Sequence, residues 1–238
     1  MTYLQIKSER LLQSSLNALA SLTALQTLEL NLGLKSMKII SGGSQYSLAN
    51  LPALQQITLN GVVSSISSGS FVNLTALKVI KITNNLETIE SEAFVFRDFE
   101  SDADHQEVQV DLFNNRLNER SFAVNFIRLK PSLTISLNLT TNRLRYLPEE
   151  VFRPFFEANS ANQLQLLNNP FECGRCESYW VVGSRSLIGS RLSVSCGQSK
   201  QSVWDYDWSQ CRSGGEHVKL ATSLVVAVMI FAKFVCSL

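Results

Sequence analysis

A short apolar motif that returns every 23 to 30 residues constrains this chain more than any other feature. In each unit two apolar residues stand one position apart, and the seven pairs are Leu4/Ile6, Leu28/Leu30, Ile57/Leu59, Ile80/Ile82, Val110/Leu112, Leu137/Leu139 and Leu164/Leu166. Periods in this range are typical of repeat architectures, in which one short unit cannot bury its own apolar face. Neighbouring units must stack, so the sequence predicts an elongated array with one continuous core.

An asparagine follows the apolar pair by three residues in the later units. These asparagines are Asn85, Asn115, Asn142 and Asn169. Where a chain leaves a strand, its backbone groups lose their ladder partners, and a nearby amide can bond them instead. We therefore expect each of these side chains to close the turn after a strand.

A phenylalanine column accompanies the apolar pairs. Phe71, Phe94 and Phe152 each follow an apolar residue by five positions, and Phe122 is assigned to the same column. An amphipathic helical protein also places Leu at mixed three- and four-residue spacings. The Asn and Phe columns recur in phase with the apolar pairs, which favours the stacked array with a phenylalanine spine on the side opposite the strands.

The combined pattern resembles the leucine-rich repeat, L-x-x-L-x-L-x-x-N-x-L. The resemblance runs from Leu4 to Asn169. It implies an α/β solenoid with a curved parallel β-sheet on the concave face and irregular, 3-10 and short helical segments on the convex side. We assign residues 1–169 to about six to seven repeats, incomplete at the N-terminus.

Four cysteines follow the last repeat, at Cys173, Cys176, Cys196 and Cys211. Four cysteines allow three disulfide connectivities, and spacing alone does not choose among them. A zinc site usually needs a second close pair of cysteines, and a C-x-x-C redox motif belongs to a reducing compartment. Structural disulfides are therefore the favoured interpretation.

The motif Asn-Pro-Phe-Glu-Cys at 169–173 resembles the start of the C-terminal cap of extracellular leucine-rich-repeat proteins. One residue more than is common in that family separates the first two cysteines. The resemblance implies a disulfide-bonded cap over residues 170–212, with the pairs Cys173–Cys196 and Cys176–Cys211. Such a cap is physically required, because the last repeat would otherwise expose its core face to water.

The C-terminal residues 220–238 form an apolar run of about bilayer-spanning length. A polar spacer at 213–219 precedes it, with small residues at Ser213 and Gly214, and this order is typical of a GPI-attachment signal. The spacer is shorter than typical and Lys233 interrupts the run, so a retained membrane helix whose lysine reaches the far interface stays open as the alternative. Both interpretations place the protein on the extracellular face of the plasma membrane. The N-terminus lacks a signal-peptide pattern, so we expect that the chain begins inside a longer precursor.

Composition and motifs give no support to catalysis. The formal charge is +1 with only two histidines, which offers no basic face for nucleic acid and little material for His chemistry. No nucleophile elbow, phosphate-binding glycine loop or zinc-protease motif occurs. The acidic segment 98–107 lacks the glycine and final glutamate of an EF-hand loop and is interpreted as a solvated insertion. We predict a non-enzymatic protein without metal or cofactor.

The side chains that alternate with the apolar pairs should face outward on the concave sheet, where solenoids bind their ligands. This places a candidate ligand-binding set on that face: Glu29, Thr58, Lys81, Asp111, Phe113, Asn138 and Gln165. The surface is mostly neutral and polar, which suits a protein ligand, with a glycan as the second option. Asn73 and Asn138 begin N-x-[ST] triplets and are candidate glycosylation sites.

The repeats and cap together resemble arthropod surface and secreted proteins, both chaoptin-like adhesion proteins and relatives of the non-catalytic subunit of a shrimp luciferase. The resemblance implies protein–protein recognition at the cell surface, in adhesion or reception. The alternative is a non-catalytic accessory subunit of a secreted enzyme or extracellular complex. Likeness of fold does not itself identify a ligand.

Overall fold

The computed structural model describes residues 1–11, 18–19, 21–35, 39–40, 51–72, 74–96, 106–197 and 199–212. The strands are β1 (Tyr3–Ser8), β2 (Thr27–Leu32), β3 (Ile39–Ile40), β4 (Gln56–Gly61), β5 (Ser65–Ile66), β6 (Phe71–Val72), β7 (Val79–Thr83), β8 (Thr88–Ile89), β9 (Phe94–Val95), β10 (Gln106–Asp111), β11 (Leu133–Asn138), β12 (Gln163–Gln165) and β13 (Leu192–Ser193). The helices are α1 (Glu149–Ala158), α2 (Tyr179–Gly183), α3 (Arg185–Ile188) and α4 (Ser209–Arg212).

One strand from each repeat enters a parallel sheet of eight strands, in the order β1-β2-β4-β7-β10-β11-β12-β13. Side chains along these strands alternate between buried and accessible, as in β2, where Leu28 and Leu30 are fully buried. The buried set forms one continuous core that runs through the array. The predicted α/β leucine-rich-repeat solenoid with a curved parallel sheet is confirmed.

Three of the four predicted asparagines, Asn115, Asn142 and Asn169, close their turns as expected and also join neighbouring repeats, whereas Asn85 shows no such bond in the described structure. Asn142 Nδ2 donates to the backbone oxygens of Leu112, at 2.9 Å, and Leu139, at 3.0 Å. Its Oδ1 accepts from the Leu117 backbone N–H at 3.1 Å. Asn115 and Asn169 make the same three kinds of bond in their own repeats. Each amide therefore closes its own turn and reaches back into the preceding repeat.

Phe122 departs from the predicted phenylalanine spine. Phe71 and Phe94 stack at 5.3 Å between ring centroids, but the backbone partner of Phe94 in the next repeat is Ile127. Phe122 pairs with Ile89 instead. The cause is a spacing of five residues from Leu117 to Phe122, where the previous repeat has three from Leu86 to Ile89.

Phe122 instead belongs to a second cluster of rings. It lies 5.1 Å from Phe126 and 5.4 Å from Phe152, both in edge-on geometry. Phe152 belongs to α1, which buries Val151, Phe155 and Phe156 as well. The phenylalanines therefore do not occupy one column.

Asn162 fixes α1 against the sheet, a role that the sequence analysis missed. Its Nδ2 donates to the Phe155 oxygen at 2.7 Å, and its Oδ1 accepts from the Ile135 N–H at 2.8 Å. The side chain is fully buried. Asn162 joins the helix α1 to the preceding repeat, as Asn142 joins a turn to the preceding repeat. Asn162 precedes its strand, β12, whereas Asn142 follows β11.

The cap contains the two disulfides Cys173–Cys196 and Cys176–Cys211, with Cα–Cα distances of 5.4 and 5.2 Å. This pairing agrees with the one implied by the family resemblance. The cap also supplies β13, in which Leu192 pairs with Leu164 of the last repeat. Sequence analysis did not predict this eighth strand.

Trp180 joins the cap to the array. Its indole N–H donates to the Leu147 oxygen at 2.8 Å, and the Leu147 N–H donates to the Ser178 hydroxyl at 3.2 Å. Both side chains from the cap are buried at the end of the core. The apolar face of the last repeat is therefore covered rather than exposed to water.

One turn position has a left-handed backbone in five successive repeats, at Gly61, Asn84, Asn114, Thr141 and Asn168. Glycine and asparagine tolerate this conformation, whereas it is an outlier for a β-branched residue. Thr141 has φ of 58°. The turn therefore stores strain in this repeat alone of the five.

Replacing Asn142 with Ala should lower the free energy of unfolding by about 2 kcal/mol, because it leaves the Leu117 N–H buried without a partner and removes one of the two amide bonds to the Leu112 and Leu139 oxygens. Urea denaturation followed by circular dichroism measures the change. Gln163→Ala on the exposed face of β12 is the control and should stay within about 0.5 kcal/mol of the wild type. A urea midpoint for Asn142→Ala equal to that of the control would contradict the structural role of the amide.

Thr141→Asn should raise the free energy of unfolding by about 1 kcal/mol, because the left-handed conformation is costly for a β-branched residue. The same denaturation assay measures it. Thr88→Asn is the matched control, because Thr88 is an exposed threonine in the strand β8, and this change should not stabilise the protein. An unchanged or lower stability for Thr141→Asn would show that the turn holds no relievable strain.

Candidate functional site

The strand register assembles the predicted outward-facing residues into one row. The pairing joins them in the order Gln5, Glu29, Thr58, Lys81, Asp111, Asn138 and Gln165, and Ser193 of the cap continues the row. Neighbouring strands lie about 4.8 Å apart, so this row is about 30 Å long. We call this surface the concave face. Its use as a binding site stays a prediction.

Charges in the middle of the concave face compensate each other. Lys81 Nζ lies 3.9 Å from Asp111 Oδ2. The other carboxylate oxygen, Oδ1, accepts from Asn138 Nδ2 at 2.9 Å and from the Phe113 N–H at 3.2 Å. Asp111 is thereby held in one orientation, while the Lys81 side chain stays 46% exposed and can contact a ligand.

At the N-terminal end, Glu29 is the centre of a second polar group. Its carboxylate accepts from Asn31 Nδ2 at 3.0 Å and from the Tyr3 hydroxyl at 3.2 Å. Hydrogen bonds from Asn31 and Gln5 lower the pKa of the Glu29 carboxyl, and the Tyr3 hydroxyl acts in the same direction. Glu29 therefore stays ionised to a lower pH than an unperturbed glutamate.

An amide ladder crosses this end of the face, and the sequence analysis did not predict it. Asn84 Nδ2 donates to Thr83 Oγ1, Thr83 to Asn60 Oδ1, and Asn60 Nδ2 to Asn31 Oδ1, at 3.2, 3.1 and 3.2 Å. Asn31 in turn donates to Glu29. The recurrence of polar residues at one register position was the available signal, but the direction of the bonds depends on side-chain geometry.

Two large apolar side chains, Phe113 and Leu167, stand at one edge of the concave face, towards the C-terminal repeats. We call this edge the rim. Phe113 is 40% exposed and Leu167 is 45% exposed. Thr140 lies between them, and the turns are stacked by bonds from the Asn114 N–H to the Thr140 oxygen, at 3.1 Å, and from the Thr141 N–H to the Leu167 oxygen, at 2.9 Å. Phe113 and Leu167 are two strands apart, so they stand about 10 Å from each other.

Asn138 occupies the centre of the concave face as the sequence register predicted. Its Nδ2 donates to Asp111, and its Oδ1 accepts from the Thr140 N–H at 3.0 Å. A glycan at this position would stand over the row of outward-facing residues. The other candidate acceptor, Asn73, lies outside the described residues, as do Ser213, Gly214, the spacer 213–219 and the apolar run 220–238.

Within the described part of the chain, no helix has the length and apolar character needed to cross a bilayer. Over the same residues, no group of three or more His, Cys, Asp and Glu side chains has an arrangement that could hold a metal ion. The described surface offers hydrogen-bonding and apolar contacts for a ligand.

These features define the class as a leucine-rich-repeat solenoid with a disulfide-bonded cap. Residues 7–125 match six copies of the BspA type leucine rich repeat region, which amounts to half of the chain. The chain therefore belongs to the BspA-type leucine-rich-repeat family.

A comparison with solved structures finds similarity to the crystal structure of the mouse RP105/MD-1 complex. The match has 16% sequence identity and a TM-score of 0.31, and it covers 87% of this chain. It covers 46% of the other chain, so this chain spans less than half the length of that protein. No curated protein sequence matches this chain.

Proposed function

We propose that this protein recognises a protein partner at the cell surface through its concave face, without catalysis. Leucine-rich-repeat solenoids are binding scaffolds whose concave sheet forms an extended contact surface. In this proposal residues 1–169 are the repeats that present the surface, and residues 170–212 are the cap that closes the core. Adhesion and reception are the two roles that such recognition would serve.

The exposure of Phe113 and Leu167 on the rim carries this proposal. Binding energy in protein interfaces concentrates in a few apolar or aromatic anchors surrounded by polar contacts. Here the two apolar side chains stand beside the compensated Lys81–Asp111 pair and the neutral amide of Asn138. This arrangement suits a partner surface with an apolar centre and a polar, nearly uncharged border.

Phe113→Asp and Leu167→Asp should each weaken partner binding at least tenfold, because they place a charge where an apolar anchor is buried. The assay screens the purified full chain against individually displayed secreted and cell-surface ectodomains, and biolayer interferometry then measures affinity. Val124→Asp is the matched control, since Val124 is 48% exposed but lies outside the eight-stranded sheet. Circular dichroism establishes that all three variants are folded.

The opposite result would overturn the proposed surface. Unchanged affinity in Phe113→Asp and Leu167→Asp would show that the partner does not bind at these two residues, and loss confined to Val124→Asp would place binding outside the eight-stranded sheet. Failure of every ectodomain in the screen to bind would remove the support for protein recognition.

The cell-surface location is supported by the C-terminal sequence pattern and the disulfide-bonded cap. Disulfides persist in secreted and surface proteins, and the small residues Ser213 and Gly214 before an apolar run are typical of GPI attachment. Asn73 and Asn138 would be glycosylated on the same secretory route.

One expression experiment tests the attachment and the glycans together. The full chain, with a signal peptide added, is produced in cultured animal cells. Phosphatidylinositol-specific phospholipase should release it from the surface, and peptide N-glycosidase should reduce its apparent mass. Retention after phospholipase treatment would favour a membrane helix, and an unchanged mass would show that neither Asn73 nor Asn138 carries a glycan.

A further inference from the structure

We propose that the amide ladder and the cavity beside it form a binding site for a neutral oligosaccharide, separate from the protein-binding rim at Phe113 and Leu167. The ladder consists of Asn84, Thr83, Asn60 and Asn31 and ends on the Glu29 carboxylate. The ligand would be rich in hydroxyl groups, each of which both donates and accepts hydrogen bonds.

The side chains of the ladder are held in place by hydrogen bonds, but their amides can form further hydrogen bonds. A primary amide carries two N–H donors and an oxygen with two lone pairs. Within the ladder, Asn31 and Asn60 each donate one bond and accept one, so the ladder takes half of what each amide can make. Because these bonds already fix the side chains, binding a ligand loses little further conformational freedom.

A cavity of about 510 Å³ opens beside the ladder, within the range of small-molecule sites. Its lining includes Lys7, Glu9, Asn31, Asn60 and Asn84. Ser8, Leu32, Gly33 and Gly61 complete the lining. The polar side chains offer one cation, one anion and three amides along an open groove that a short saccharide could occupy.

A glycine lets two turns pack closely at the edge of this cavity. Gly61 lines the cavity and has φ of 122°, and a Cβ there would lie 1.9 Å from the Leu32 oxygen, so the backbone passes close to the preceding repeat. Later repeats have Asn84, Asn114, Thr141 or Asn168 at the same turn. A residue with a side chain would clash with the preceding repeat at position 61.

The chemistry favours a saccharide over a peptide. The only large, exposed apolar side chains in the described residues near this end are Met1, Tyr3 and Leu34. Leu32 is the one large apolar side chain that lines the cavity, and it is only 5% exposed, so a peptide side chain would find little apolar surface there. Rows of fixed amides and a carboxylate suit the closely spaced hydroxyls of a sugar ring instead.

Isothermal titration calorimetry on the full chain tests the site with cello-, chito-, manno- and galacto-oligosaccharides as probes. At least one probe should bind, and Asn60→Leu should weaken it about tenfold or more by removing one amide of the ladder. Gln109→Leu, the same change on the opposite flank of the sheet, should leave the affinity unchanged. Phe113→Asp should also leave it unchanged, which separates this site from the protein-binding proposal.

A second measurement uses the wild-type chain, so its result does not depend on the folding of Asn60→Leu. In a ¹H–¹⁵N spectrum, the bound probe should shift the side-chain amide signals of Asn31 and Asn60 and leave that of Asn138 in place. Failure of all four probes to bind at millimolar concentration would overturn the proposal. So would binding that leaves both amide signals unmoved, or binding that Asn60→Leu does not weaken while that variant remains folded.

Discussion

Buried asparagine amides keep the later repeats of this solenoid in phase. A repeat array has contacts only between neighbours, so a connection that reaches from one turn into the previous repeat determines the relative position of both. Asn115, Asn142 and Asn169 make this connection three times in succession. In these repeats Lys81, Asp111, Asn138 and Gln165 lie in register across the strands.

The early repeats use their asparagines differently. Asn31 and Asn60 stand on the outer face and bond each other across the strands. Glycine at Gly61 replaces the residue types found at the later turns. The two ends of one array therefore present different chemistry: a charged, amide-rich end and an end with apolar groups on a neutral background. Two ligands of different chemical class would thus contact neighbouring parts of the same sheet.

The strand positions and the row of outward-facing residues could be predicted from the sequence. The apolar pairs mark the inward-facing positions of each strand, so the residues between them must face outward. Tyr3, Thr27 and Gln56 align as expected for the same reason. The position of Phe122 could not be predicted, since two additional residues in a preceding turn shift it without changing the apolar pattern. The strand β13 was missed because two residues pairing with Leu164 and Gln165 carry no periodic signal. The ladder direction and the role of Asn162 depend on side-chain geometry in three dimensions.

The way in which the cap is attached determines where the array can come apart. Cys173 follows the last repeat and Cys196 follows β13, so their bond joins the terminal turn to the final strand over a separation of 23 residues. With β13 covalently held against β12, that end cannot fray one strand at a time. The cap end of the solenoid therefore opens as one unit, in which β12, β13 and the cap lose their structure together.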